Sequence, residues 1–281
     1  MAALRFLIVE GNTRPARERH AEAYGLTPAA SYAAVLQEIE PGILCDIALP
    51  ADAGANLPDA AGLESYDGVV LTGSALNIYD ATPEIRRQVE LMRAVFASRT
   101  PAFGSCWGIQ VGAVAAGGDV RRNPRGREVG FARNIAPTDA GRSHPMLAGR
   151  PPAYDAPTTH LDVVAVPPAD CTVLAGNRMA AIQAAEIRVG GAALWACSTI
   201  PSSRSPRSGR SSTAAGSCCR RGLLPDARGR VGLCRRAQDA PRRPGAPRPR
   251  LATWARRRGA RPGPAHRRNP QLHRAPGGRR E

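Results

Sequence analysis

Short apolar runs alternate with helix-like stretches from residue 4 to residue 195, and then the alternation stops. That pattern decides most of what this chain can become. Leu4–Glu10 (LRFLIVE) is an apolar run ending at Gly11, as a buried strand would be. The stretch from Pro15 to Tyr24 is rich in Ala, Arg and Glu and reads as a helix. Strands are expected at Cys45–Leu49, Gly68–Leu71 and Pro101–Gly104. Between the last two, Pro83–Ala97 places Ile85, Val89, Met92, Val95 and Phe96 at helical spacing. Strand-like runs recur at Val163–Val166, Thr172–Ala175, Ala181–Ile187 and Ala192–Trp195. Strands alternating with helices predict an α/β domain with a mainly parallel sheet flanked by helices over residues 1–195.

After Trp195 only eight of the last 86 residues are large and apolar: Ile200, Leu223, Leu224, Val231, Leu233, Leu251, Trp254 and Leu272. Such a segment cannot bury enough surface to offset the entropy of ordering it, so 196–281 is expected to be a disordered Arg/Pro/Gly-rich tail. Charge divides at the same point. The whole chain carries +16, and every basic residue is Arg. Residues 1–195 hold 17 Arg against 20 acids, whereas 196–281 hold 22 Arg against three acids. The first segment is thus mildly acidic. The tail's arginines would attract polyanions, but Trp254 alone offers no stacking platform, so no specific nucleic-acid partner is expected. No run is long enough to cross a membrane, and the start lacks the basic region of a secretory signal. The expected setting is the cytoplasm, with no membrane association. The seven cysteines show no paired CxxC spacing, so neither a metal nor another cofactor is expected.

One cysteine stands apart. Gly104-Ser105-Cys106-Trp107-Gly108 sits where the strand ending at Gly104 should turn into a helix. Glycines two residues either side of a nucleophile permit a tight, strained turn. The helix that follows offers N–H groups and a positive dipole end, which favour a thiolate and a developing oxyanion. Cys45 and Cys171 have no such setting and read as structural.

GSCWGIQ resembles the nucleophile elbow of class I glutamine amidotransferases, including the amidotransferase domain of GMP synthases. Asp67–Ser74 (DGVVLTGS) is similar to the strand and glycine loop that supply that family's oxyanion hole. Arg127-Glu128-Val129-Gly130 resembles its R-E-x-G segment, and Thr159-His160-Leu161-Asp162 its S-H-x-D segment. The resemblance implies a flavodoxin-like fold and a reaction without a cofactor: hydrolysis of glutamine, or of a related γ-glutamyl compound, to glutamate and ammonia through a thioester on Cys106. It further implies backbone oxyanion donors at Ser74 and Trp107, and substrate contacts from Gly73, Gln110 and His160. Ser74 stands where the family usually has a second glycine. A synthetase that accepts the ammonia is the implied partner. Another cysteine hydrolase of this fold, or a nucleic-acid binder using the tail, are the competing readings.

The family needs a histidine to take the thiol proton and an acid to orient it. Both come from an H-P-E segment just after a strand ending W-G. Here Gly191–Trp195 is followed by Ala196-Cys197-Ser198-Thr199-Ile200-Pro201. His20 and His144 read as surface histidines, and His266 and His273 fall in the tail. The genetic code accommodates one explanation for both the lost motif and the arginine-rich tail. W-A-C-S-T-I-P-S-S is encodable so that one inserted G after the Trp195 codon gives W-G-V-Q-Y-H-P-E-F. We read 196–281 as an out-of-frame translation of a GC-rich gene, and expect negligible glutaminase activity from the chain as written.

Overall fold

The computed structural model describes residues 3–200. Of the tail, Ala196–Ile200 are described; the disorder expected for the remainder, and His266 and His273, lie outside the described residues. The described residues build one nine-stranded mixed sheet with helices on both faces.

Strand β1 (Arg5–Val9) pairs in parallel with β2 (Leu44–Ala48) and β3 (Gly68–Leu71). Next in the sheet come β4 (Ala102–Ser105) and β11 (Ala192–Cys197), also parallel. From β11 the sheet turns antiparallel through β10 (Ala184–Val189), β9 (Cys171–Gly176), β6 (Glu128–Pro137) and β7 (Tyr154–His160). A separate two-stranded ribbon joins β5 (Asp119–Arg122) to β8 (Asp162–Val166).

Burial explains why the central parallel strands are mostly apolar, whereas β2 at the sheet edge is largely exposed or half-buried and carries Asp46. Each strand alternates side chains between two cores. Leu7 and Val9 face one with Leu63, Val69, Leu71 and Leu194, covered by helices α3 (Ala60–Leu63), α4 (Pro83–Ser98) and α5 (Trp107–Ala115). Phe6 and Ile8 face the other with Val70, Phe103 and Trp195, against α2 (Pro28–Ile39). Each such side chain contributes on the order of 1.5–3 kcal/mol when fully buried. The helical spacing read in α4 holds: Ile85, Val89, Met92, Val95 and Phe96 are all buried.

Helix α1 (Arg14–Tyr24) matches the sequence reading to within one residue. Helix α2 has no counterpart in that reading, although Thr27-Pro28 signals its start: Thr27 Oγ1 accepts from the Ala30 N–H, and Pro28 takes the first turn. Strands β5, β6 and β7 are likewise additions. β11 runs two residues past Trp195, burying Ala196 and Cys197 beside β4.

Candidate active site

At the C-terminal end of β4 the chain reverses into α5 through Cys106, whose φ of 52° and ψ of −99° lie outside the regions most residues adopt. Gly104 makes this reversal possible, because a Cβ there would lie 2.8 Å from the Gly108 carbonyl carbon. The elbow is tied down on every side. The Cys106 N–H donates to the Cys197 carbonyl at 2.7 Å, locking the turn to the end of β11. Ser105 Oγ shares a hydrogen bond with the Tyr32 hydroxyl of α2. Trp107 Nε1 donates to Gln88 Oε1 of α4 at 2.7 Å, and Gln88 Nε2 donates to the Gly11 carbonyl at 3.1 Å.

Cys106 is buried, and burial pushes its thiol up to about 11. The Trp107 backbone N–H pulls in the opposite direction, while the nearby charge of Asp162 adds to the rise. Burial also holds the Asp162 carboxyl above its ordinary range, against a hydrogen bond from the Tyr79 hydroxyl at 3.2 Å. Sγ lies 3.7 Å from the Thr159 carbonyl oxygen. Among the described residues, no imidazole is placed as a hydrogen-bond partner of the thiol.

The loop after β3 lies across from the elbow. A Cβ on Gly73 would sit 3.6 Å from Cys106 Cβ and 3.9 Å from Sγ, so Gly73 leaves room directly over the nucleophile. Ser74 Oγ accepts from the Leu76 N–H at 3.2 Å. Gln110 lies one turn into α5, buried, with no hydrogen-bond partner for its Oε1 among the described residues.

The antiparallel half contributes a buried polar cluster. Glu128 and His160 face each other in the β6–β7 register, with His160 Nε2 3.0 Å from Glu128 Oε2. His160 Nδ1 lies 3.1 Å from the Asp162 carbonyl oxygen. Glu128 also accepts from Gln183 Nε2 at 2.7 Å and from Asn177 Nδ2 at 2.8 Å. Both ring nitrogens of His160 therefore face oxygen atoms. Its ring is turned into this cluster, and the backbone of its neighbour Thr159 is what meets the thiol. The R-E-x-G and T-H-x-D segments, 32 residues apart, thus meet in space as one hydrogen-bonded unit. Gln183 and Asn177, which complete it, carry no sequence signal of their own.

The other described histidines make their contacts elsewhere. His20 Nδ1 bonds the Leu26 carbonyl at 2.8 Å. His144 packs edge-on against Trp195, 3.7 Å from Glu186, so it is more enclosed than a surface histidine. The segment after β11 runs beside β7: Thr158 Oγ1 donates to the Ser198 carbonyl at 3.3 Å, and the Ile200 N–H to the Pro157 carbonyl at 2.9 Å. Among the described residues, no group of three His, Cys, Asp or Glu side chains gathers to hold a metal, and no helix is long and apolar enough to cross a membrane.

Comparison with known proteins agrees with this geometry. Residues 48–189 match the model of the class-I glutamine amidotransferase family, and the chain belongs to that family. It is 38% identical over 198 residues to a γ-glutamyl-L-1-hydroxyisopropylamide hydrolase of a Pseudomonas species, covering 69% of this chain and 66% of that protein. It is 32% identical over 123 residues to a glutamine amidotransferase-like protein of Penicillium rubens, covering 43% of this chain and 50% of that one. The chain therefore spans just under two thirds of the first relative and half of the second. A Thermoplasma acidophilum protein described as a GMP synthase subunit shares the fold with a TM-score of 0.56 at 20% identity, covering 78% of this chain and 92% of that one. A glutamine amidotransferase from Methylobacillus flagellatus shares it with a TM-score of 0.51 at 19% identity, over 66% of each chain.

Proposed function

We propose that residues 1–195 form a glutamine amidotransferase-type domain that hydrolyses glutamine or another γ-glutamyl amide through Cys106. The carrying observation is the elbow: a buried thiol at a strained strand-to-helix turn, with the Trp107 N–H beside it and Gly73 above it. In the reaction Sγ bonds the γ-carbonyl carbon and the thiol proton passes to a base. The Ser74 and Trp107 backbone N–H groups receive the oxyanion. The C–N bond then breaks, and the amine leaves with that proton. Water hydrolyses the thioester to glutamate and restores the thiol. Gly73 and Gln110 bound the substrate pocket, and His160 supports its wall through Glu128.

The base and its orienting acid belong at positions 200 and 202, where the shifted frame reads His and Glu and this chain has Ile200 and Ser202. Residues 196–281 are on this reading an out-of-frame segment, and the chain as written lacks proton transfer. The name of the Pseudomonas relative favours a γ-glutamyl amide of a small amino alcohol among the candidate substrates. The likeness to a GMP synthase component keeps an ammonia-accepting synthetase as a candidate partner. Cys45, Cys106 and Cys171 are unbridged thiols, in keeping with a cytoplasmic setting.

The test compares glutamate release by the chain as written and by the frame-restored chain, on glutamine and on γ-glutamyl alkylamides. The expected result is turnover by the restored chain alone, abolished by Cys106→Ala. Turnover by the chain as written, lost in Cys106→Ala, would refute the missing-base reading. Resequencing the DNA at the Trp195 codon decides the frame independently.

A further inference from the structure

We infer that Asn12 is a positioning residue that fixes the Gly73–Ser74 peptide in the orientation needed for oxyanion binding. The inference rests on the assignment of the Ser74 N–H as an oxyanion donor. Asn12 follows β1, more than sixty residues from that loop, yet its side chain grips the loop at both ends. Asn12 Oδ1 accepts from the Ala75 N–H at 3.1 Å, and Nδ2 donates to the Gly73 carbonyl at 3.3 Å. The amide cannot be turned round: Ala75 presents a donor, whereas Gly73 O and Glu10 Oε1, 3.1 Å from Nδ2, are both acceptors.

The Gly73 carbonyl and the Ser74 N–H belong to one trans peptide, so they point in opposite directions. Fixing the carbonyl fixes the N–H. Thr72 Oγ1 is the second group on that carbonyl, at 3.0 Å. Glu10 stands behind both, fully buried, accepting from the Asn12 N–H at 3.0 Å and from the Ala29 N–H at 2.8 Å. Gly11 completes the clamp by having no side chain, since a Cβ there would lie 2.9 Å from the Gly73 oxygen and 2.8 Å from Trp107 Cδ1. With the clamp in place the Ser74 N–H is turned away from the Asn12 side, and it donates to no group among the described residues. Were the peptide to flip, the Gly73 oxygen would take the donor's place and repel an oxyanion.

The clamp is separable from the thiol's own chemistry. The probe is 5-oxopentanoate, an aldehyde analogue of the γ-glutamyl group that cannot cyclise through an α-amine. Its carbonyl carbon bonds Sγ reversibly, the thiol proton moves to the carbonyl oxygen, and that oxygen lies where the oxyanion would. Protection of Cys106 from iodoacetamide in the full chain, read by mass spectrometry, measures this adduct. Asn12→Ala should raise the concentration needed for half-protection at least about tenfold, the scale of weakening one oxyanion donor. Alkylation without the aldehyde should stay within about twofold of wild type, because the thiol's burial is unchanged. Asn12→Asp keeps the acceptor for Ala75 and removes the donor to Gly73, so it should match the alanine variant. An aspartate variant protected like wild type would overturn the peptide-orientation account while leaving Cys106 as nucleophile. Absence of protection in wild type itself would overturn the oxyanion assignment and the clamp with it.

Discussion

In the parallel half of the sheet, β4 delivers Cys106 by backbone geometry: a positive φ, two close-packed glycines and an N–H to the Cys197 carbonyl. In the antiparallel half, the β6–β7 register sets Glu128 opposite His160, and a buried side-chain cluster with Asn177 and Gln183 holds them there. The first arrangement tolerates no added atom at Gly104. The second tolerates small shape changes but not the loss of a hydrogen-bonding partner.

The largest effect should come from titrating the thiol. With its pKa raised to about 11 by burial and no imidazole bonded to it among the described residues, Cys106 alkylation in the chain as written should rise about tenfold per pH unit through the neutral and mildly alkaline range. A plateau near neutral pH would reveal an undetected proton acceptor and break the contrast. Next, Glu128→Ala removes the carboxylate that accepts from Asn177 and Gln183 and faces His160 Nε2. It should cost about 3–5 kcal/mol, measured by chemical denaturation. A loss below about 1 kcal/mol would mean that water enters and satisfies the cluster. Smaller again, Gly104→Ala pushes a methyl into the Gly108 backbone and should cost about 1–3 kcal/mol. Its effect on Cys106 alkylation should exceed that of Glu128→Ala, because it distorts the elbow itself.

The same contrast explains what the sequence made legible. Backbone devices write themselves into short motifs, since only glycine fits at Gly104 and a positive-φ nucleophile must follow it. The strands under the elbow were equally plain, because a strand buried on both faces is a continuous apolar run, as in Gly68–Leu71. Helix α2 is weakly marked, since alanines fill a third of it, yet Ala29, Tyr32 and Leu36 fall at helical spacing on its buried face and Tyr32 reaches the elbow. Strand β6 buries residues at irregular intervals, with its register shifted between Ala132 and Ile135, and β7 mixes apolar with polar residues, so neither shows the regular alternation that marks a strand. Glu128 and His160 could be found only through the resemblance of their segments to a family. The proposed role of Asn12 has no local signal, since Gly73 and Ala75 lie on a loop that only the β1–β3 pairing brings close.

One consequence concerns the order of assembly. β11 is the last described strand along the chain yet sits in the middle of the sheet, between β4 and β10. During synthesis, β4 must wait some ninety residues for the partner that covers its open side. Such a non-local pairing folds slowly and leaves an apolar edge exposed in the interval. A ribosome that stalls before Ala192 would release a chain whose nucleophile strand is an adhesive edge, so aggregation of nascent fragments should rise at that boundary.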